Sequence, residues 1–438
     1  MEKKSRIIDT VIFLALLAAA SAVTLMLFYR QALYADIVMP SAVDGMEEMY
    51  KSDMKAYMLE MQGLDSGYSF PYPVFFKLAA FIHLFATPQL SVALATMLLN
   101  SLGIILVKIA LNRLILPECE KGSGFLKRDW LSGVFLSLLA VSLFFVSMLY
   151  PPTGIYLPGI RFRYVGVFSP NPFHNATYMA ARPFAILAFL WYVKLLPVYE
   201  KGMPTGKSSE TGGVSLWDYV LFSVFLLVAT MTKPSFTIVL VGAAGLLMLY
   251  RLIRSRFRNF VPTLQLGLCF VPTFIDLLYQ YSGVFVAEGN AEGGIGFTFG
   301  EIWGYYCDSI PLGVGLAIGF PLLVLVLNFR ELKRDVMYRF SWQIYLMSFA
   351  FAFFLYEKGF RKPDFNFSWG YMYGIFFCHL SALVLLLRVT VRSLRVTAGA
   401  DRTWGQRLLL TAQWLAYFWH VACGLGYFAA IMSGGTYY

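Results

Sequence analysis

Apolar residues dominate this chain in long continuous runs that short polar segments separate. Eleven of these runs come close to the roughly 20 residues that a helix needs to span a bilayer. The pattern therefore predicts an all-α polytopic membrane protein with about eleven transmembrane helices. The predicted spans are residues 7–29, 89–111, 130–150, 181–198, 216–232, 235–250, 260–280, 310–328, 340–356, 370–388 and 408–431.

One further apolar segment, 73–87, is short and carries Lys77 and His83. A helix of this length does not reach across the hydrocarbon core. The sequence therefore favours a re-entrant or interfacial helix here, with a twelfth crossing as the alternative.

The charged residues indicate how the helices are oriented. The chain has 438 residues, of which 58% are hydrophobic and only 14% are charged, a balance too apolar for an ordinary soluble fold. If the N-terminus is cytoplasmic, most of the 35 Lys and Arg residues lie on the cytoplasmic side, which is the positive-inside pattern. The net charge of +10 resides in short clusters at helix ends, where topology and membrane lipids explain it. Nucleic acid is therefore not expected as a partner.

The chain shows no internal repeat and no long soluble segment, which predicts a single transmembrane domain over residues 1–438. Its extracytoplasmic loops are predicted at 30–72, 151–180, 281–309 and 357–369. The first apolar run is long enough to be a retained helix, although it contains a stretch typical of signal cleavage. We expect a bacterial cytoplasmic (inner) membrane, with the endoplasmic reticulum as the alternative. The five cysteines have no CxxC or CxxH spacing, so no metal site or cofactor is expected.

The first extracytoplasmic loop contains the leading catalytic candidate, Asp53. Ser52 is placed to cap a short helix on which Asp53, Tyr57 and Glu60 share one face, because they are four and three residues apart. A carboxylate there has the chemistry of a general base acting on a hydroxyl group. The GYSFPYP stretch that follows is held extended by its prolines and lays aromatic rings, including Tyr72, along the membrane surface. A simply solvated acidic loop is the alternative.

The second loop combines prolines and aromatic residues with basic side chains. Prolines keep the backbone irregular, and guanidinium groups offer paired donors with permanent charge, which suits a lipid-linked phosphate. Contact with lipid headgroups alone is the alternative. The candidate substrate-binding residues of this region are Arg161, Arg163, His174, Asn175 and Arg182.

A third candidate region combines two distant segments, MTKPSF at 231–236 and EKGFRKPDFNFSWGY at 357–371. Lys233 lies between two closely spaced helices, where a charge is costly to hold. Mixed charges, amides and aromatic rings are typical of sugar sites, whereas an interfacial aromatic belt is the alternative. The other substrate-binding candidates here are Arg361, Lys362, Asp364, Asn366 and Trp369.

The first part of the chain resembles the GT-C superfamily of integral-membrane glycosyltransferases. The likeness rests on a first helix from the cytoplasm, a long outer loop with SDxxxY, a short amphipathic helix and a PYP segment. In that superfamily an Asp followed four residues later by His or Tyr activates the acceptor hydroxyl, and the matching residues here are Asp53 and Tyr57. No acidic pair stands at the expected place, so Asp44 and Glu48 are possible substitutes.

The resemblance implies a polyprenyl-phosphate-sugar donor, a glycan, lipid or protein acceptor, and inversion at the anomeric carbon. Arg161, Arg163, Lys233 and Arg361 would then neutralise the leaving phosphate. The second loop also resembles O-antigen ligases and polymerases, in which an Arg, a Gly and a Pro-Asn pair follow in this order, as Arg163, Gly166, Pro170 and Asn171 do here. In that alternative the arginines of the outer loops matter and Asp53 is dispensable. A transporter or flippase is a further alternative, for which broken helices, mid-membrane charges and a two-fold repeat are expected.

Overall fold

The structure, a computed structural model, describes residues 3–35, 38–41, 45–119, 130–150, 160, 162, 165–201, 214–283, 294–396 and 404–435. Within these residues the chain is mainly helical, as the apolar runs predict. The α-helices are α1 (Lys3–Leu33), α2 (Met54–Met61), α3 (Pro73–His83), α4 (Pro88–Cys119), α5 (Trp130–Ser142), α6 (Ala176–Lys201), α7 (Leu216–Thr232), α8 (Ser235–Arg254), α9 (Phe260–Leu268), α10 (Val271–Tyr281), α11 (Glu301–Gly304), α12 (Ile310–Ala317), α13 (Gly319–Leu327), α14 (Val336–Phe354), α15 (Ser368–Val396) and α16 (Trp404–Met432).

Six of the described helices are long and apolar enough to cross a membrane: α1, α4, α6, α8, α15 and α16. Two bent pairs, α9 with α10 and α12 with α13, raise this number to eight if each pair forms one crossing. These helices confirm an all-α polytopic membrane protein. Each of the eleven predicted spans overlaps a helix or a bent pair. However, α5 and α7 have only 13 and 17 residues, so the count of eleven stays a prediction.

The two bent pairs have local physical causes. Pro272 lies in the first turn of α10, where α9 and α10 meet at 50°, and proline cannot continue the hydrogen-bond ladder of a helix. The α12–α13 pair bends by 70° at Ile318. There the Phe320 N–H donates to His420 Nε2 (3.0 Å), while His420 Nδ1 lies 2.6 Å from the Ser147 carbonyl oxygen. The histidine therefore satisfies a backbone donor that hydrocarbon would leave unpaired.

The short helix α3 occupies the ambiguous segment 73–87. Its 11 residues extend for roughly 16 Å, about half of a hydrocarbon core. His83 Nδ1 lies 2.9 Å from the Ala86 carbonyl oxygen, in the turn that precedes α4. The helix is too short to cross a membrane alone, in keeping with a re-entrant or interfacial position.

The helix α15 forms the centre of the bundle. It packs against α14, α8, α13 and α4, and its Tyr371, Tyr373 and Phe377 side chains are fully buried. In contrast, α1 and α16 expose large apolar side chains such as Val11 and Leu415. Exposed apolar side chains suit helices that face lipid. The first turn of α15 therefore lies at the axis of the bundle, and the candidate residue Trp369 is part of that turn.

A buried ion pair joins three helices near the N-terminus. Lys108 Nζ on α4 lies 2.8 Å from Asp9 Oδ1 on α1, and it donates to the Gly133 carbonyl oxygen of α5 (2.7 Å). The Ser137 hydroxyl donates to the same Asp9 oxygen (3.0 Å). Because a charge inside a bundle is costly, such a pair is retained only when its partners satisfy it. This cluster lies on helices that carry none of the predicted site residues.

Two pairs of short strands lie in the polar segments of the chain. In the second pair, Ile295 lies opposite Glu357, the last residue of the strand that follows α14. A 3₁₀ helix, Gly359–Asp364, comes next and leads into α15. The strands are β1 (Val38–Ser41), β2 (Gly45–Glu48), β3 (Ile295–Phe297) and β4 (Leu355–Glu357), with β1 antiparallel to β2 and β3 antiparallel to β4.

Candidate functional site

Asp53 stands at the start of α2, the short helix in the first polar segment. The Met54 N–H of the first turn donates to the Ser52 hydroxyl (3.3 Å), which satisfies one free helix donor. One turn on, the Tyr57 hydroxyl donates to Asp53 Oδ2 (3.2 Å). This bond confirms that Asp53 and Tyr57 share one helix face, as their spacing predicts.

Asn175 connects the start of α6 to this carboxylate. Its Oδ1 accepts a hydrogen bond from the Tyr178 N–H (2.8 Å), and this bond caps the helix. The same oxygen accepts a hydrogen bond from the Thr177 hydroxyl (3.0 Å). The Asn175 Nδ2 group therefore points the other way and donates to Asp53 Oδ2 and to the Tyr57 hydroxyl (2.9 Å). Both of these donors bind Oδ2 of Asp53. No described side chain binds its other oxygen, Oδ1.

Lys233 lies between α7 and α8 and is only 6% exposed. Its Nζ donates to the Thr177 hydroxyl (3.1 Å), and it lies 4.9 Å from the centre of the Trp369 ring and 5.8 Å from that of Tyr72. The Thr177 hydroxyl also lies 3.0 Å from the Tyr57 hydroxyl. One threonine therefore links the buried cation to the hydrogen-bond partner of Asp53.

Burial controls the ionisation of both charged groups. It raises the pKa of the Asp53 carboxyl, while Lys233 and hydrogen bonds from Tyr57 and Asn175 oppose this rise. Burial lowers the pKa of the Lys233 ammonium to about 8, against the attraction of Asp53. A carboxylate of raised pKa is a stronger base, and an ammonium with a pKa of about 8 is still mainly charged at neutral pH.

A second polar cluster lies between β4 and α15. Arg361 Nε is 3.6 Å from Glu357 Oε2 and 3.5 Å from Asp364 Oδ2. Asn366 Nδ2 donates to the same Glu357 oxygen (2.8 Å), and Asn366 Oδ1 accepts a hydrogen bond from the Trp369 indole N–H (3.2 Å). These bonds fix the Trp369 ring, which also covers Lys233, so the two clusters share one aromatic wall.

A cavity of about 400 Å³ lies against the second cluster and meets the first at Lys233 and Tyr72, whereas Asp53 does not line it. On its other side it is lined by apolar side chains of α8, α10 and α14, among them Ile238, Leu277 and Phe351. Ile238 is 36% exposed. This combination suits an amphipathic ligand with a polar head and an apolar tail. The polar lining includes Tyr72, Lys233, Glu357, Arg361, Asn366 and Trp369.

Three other predicted residues lie close to these clusters. Burial raises the pKa of the Tyr72 phenol, Arg361 opposes the rise, and Asp53 and the partly exposed Glu60 add to it. His174 is buried with its ring 5.5 Å from that of Trp369. Burial and the nearby ammonium lower the pKa of His174 to about 3, so the imidazole is neutral at physiological pH.

Two predicted residues take part in neither polar cluster, and neither of them lines the cavity. Arg182 is fully buried inside the bundle, with its guanidinium 4.7 Å from the Phe144 ring centre and 5.3 Å from that of Phe376. The sequence groups it with the second loop, but it lies two turns into α6, where aromatic rings surround it. Lys362 pairs with the exposed Glu301 (2.7 Å) and does not line the cavity. The structure therefore brings neither cation to Lys233.

Two residues of the site were not singled out from the sequence. Thr177 ends the Asn-X-Thr tripeptide that begins at Asn175, but only the fold brings its hydroxyl to Lys233. Glu357 stands four residues before Arg361, and that spacing of opposite charges is the one signal that points to it.

Arg161 and Arg163 lie outside the described residues, and their role stays a prediction. Among the described residues, no group of three or more His, Cys, Asp or Glu side chains is arranged to hold a metal ion. No protein-family model, curated protein or solved structure matches this chain.

Proposed function

We propose that this protein is an integral-membrane glycosyltransferase. It takes a sugar from a polyprenyl-phosphate donor and places it on a glycan, lipid or protein acceptor, with Asp53 as the general base. One observation carries this proposal. The Asp53 carboxylate and the Lys233 ammonium are linked through the hydroxyls of Tyr57 and Thr177, beside a cavity with a charged side and an apolar side.

In the proposed reaction, an acceptor hydroxyl attacks the anomeric carbon of the donor while its proton passes to Asp53 Oδ1. The bond from that carbon to the phosphate oxygen breaks, and the electron pair leaves with the phosphate. Lys233 and Arg361, which both line the cavity, stabilise the negative charge that grows on the phosphate. Attack opposite the leaving group inverts the anomeric centre. The raised pKa of Asp53 favours the proton transfer.

The cavity supports a lipid-linked donor. A sugar has hydroxyls for Glu357 and Asn366 and an apolar face for Trp369, whereas a polyprenyl chain needs an apolar path to the membrane. The apolar side chains of α8, α10 and α14 that line the cavity support such a path.

The topology that belongs to this proposal has eleven crossings, a cytoplasmic N-terminus and the site at the extracytoplasmic face of a bacterial cytoplasmic membrane. Two observations support it. The basic residues favour this orientation, and the site gathers the end of α7 with the starts of α6, α8 and α15. Alternating directions place these helix ends on one side of a membrane.

The test is sugar transfer in proteoliposomes that contain the purified protein, a panel of undecaprenyl-phosphate-linked sugars and extracted membrane glycans. Asp53→Asn should lower the rate by at least about 100-fold, since general bases contribute about that much. The matched control is Asp65→Asn, an exposed carboxylate of the same segment that should keep full activity. An active Asp53→Asn protein refutes the proposal, and loss in Arg163→Ala alone instead indicates ligase or polymerase chemistry.

A transporter or flippase for lipid-linked substrates is the second candidate. The two bent helix pairs favour it, because broken helices are typical of transporters, and α10 of one pair lines the cavity. The same proteoliposomes distinguish the two functions. Movement of a fluorescent undecaprenyl-phosphate sugar between the leaflets, without sugar transfer, indicates transport.

A further inference from the structure

Two opposite charges of the site lie close together without touching. Among the described residues, the Lys233 ammonium forms no ion pair with Asp53, although each changes the pKa of the other. Opposite charges in a buried site attract strongly, because little water screens them. A lysine has a long flexible stem, so this attraction alone would draw the ammonium onto the carboxylate. Some feature of the site must hold the two groups apart.

That feature is a layer of two hydroxyls between the charges. The Thr177 hydroxyl accepts the hydrogen bond of Lys233 and lies 3.0 Å from the hydroxyl of Tyr57, which donates to Asp53. Thr177 is fully buried in the first turn of α6, and Asn175 binds its hydroxyl as well as that of Tyr57. The threonine therefore cannot turn away from the ammonium without losing several hydrogen bonds.

We propose that Thr177 is a positioning residue that keeps the Lys233 ammonium and the Asp53 carboxylate apart, so that each is free for substrate. The inference rests on the proposed function. In a direct ion pair the carboxylate would become a weaker base, and its negative charge would offset the positive charge that the ammonium offers to the phosphate. The hydroxyl layer keeps the ammonium beside the cavity, and it leaves Asp53 Oδ1 open to an acceptor.

Two substitutions at one position test this inference. Thr177→Val removes the hydroxyl and nearly preserves the shape, whereas Thr177→Ser keeps the hydroxyl. In the valine protein, we expect the Lys233 ammonium to form a direct ion pair with Asp53. This contact should lower the pKa of the carboxyl and raise the pKa of the ammonium. The rate of sugar transfer at pH 7 should fall by about tenfold or more. The acidic limit of the pH profile should move to lower pH and the basic limit to higher pH.

Thr177→Ser should transfer sugar within about threefold of the wild-type rate, with both pH limits unchanged, because the hydroxyl is retained. Thermal unfolding in detergent monitors the fold of both variants. If the valine protein does not fold, Thr177→Ala takes its place and should show the same outward shift.

A merely structural role would lower the rate and leave the pH limits in place, and that result overturns the inference. A wild-type rate in Thr177→Val overturns it too. Asp53→Asn separates the two proposals. If it is active, or if the wild-type protein transfers no sugar, the proposed function fails and this inference fails with it. If Asp53→Asn is inactive while Thr177→Val keeps the wild-type pH profile, only the role of Thr177 is refuted.

Discussion

Lys233 should make phosphate binding depend on pH above neutrality. Burial lowers the pKa of its ammonium to about 8, so the charge is present at pH 7 and is lost as the pH rises through that value. The charged fraction falls from about nine tenths at pH 7 to about one tenth at pH 9. If phosphate binds only the charged form, its affinity falls about tenfold over this range, or about 1.4 kcal/mol.

The assay is the binding of undecaprenyl phosphate to the purified protein in detergent, measured by native mass spectrometry from pH 6 to pH 9. The phosphate itself changes little above pH 7, since its second pKa is about 6. Any fall above pH 7 therefore reports Lys233.

Two substitutions of Lys233 serve as controls. Lys233→Arg keeps a permanent charge and should bind with the same affinity at pH 7 and pH 9. Lys233→Met should bind weakly and without pH dependence, because it has no charge to lose. Wild-type affinity that stays constant between pH 7 and pH 9, or a methionine variant with the wild-type slope, would refute the reasoning.

Three further predictions concern stability and recognition. Lys108→Met leaves Asp9 buried without its cation and should lower the free energy of unfolding by about 3–5 kcal/mol, and adding Asp9→Asn should recover part of the loss. Equal losses in the single and double variants, measured by denaturant unfolding in detergent, would contradict this. His420→Ala removes the acceptor at the α12–α13 bend and should lower the same free energy by about 1–3 kcal/mol, whereas no change would show that the bend does not need it. Trp369→Ala removes the ring over Lys233 and should raise the donor KM about fivefold or more. Trp369→Phe, the control, should raise the donor KM less. An unchanged KM would exclude that ring from donor binding.

Local parts of the site could be predicted from the sequence. The spacing of Asp53 and Tyr57 predicts a shared face, because helix geometry fixes the relation of residues four apart, and a hydrogen bond joins them. Arg182 shows where such reasoning ends. The sequence groups it with a polar loop, and its guanidinium does donate to Asn171 of that loop, but aromatic rings from α15 and from the turn after α5 enclose it. Only helix packing decides whether a charge near a predicted boundary belongs to the loop or to the bundle.

The sequence by itself determined the membrane class and the order of the helices, because long apolar runs can satisfy both lipid and their own backbone only as helices. It also identified the segments that carry polar chemistry. The tertiary structure alone decided that Thr177 meets Lys233 and that Glu357 meets Asn366 around one cavity. The physical reason is that Thr177 and Lys233 are 56 positions apart in the sequence. The packing of α6 against α7 brings such residues together, and no local pattern of side chains encodes that geometry.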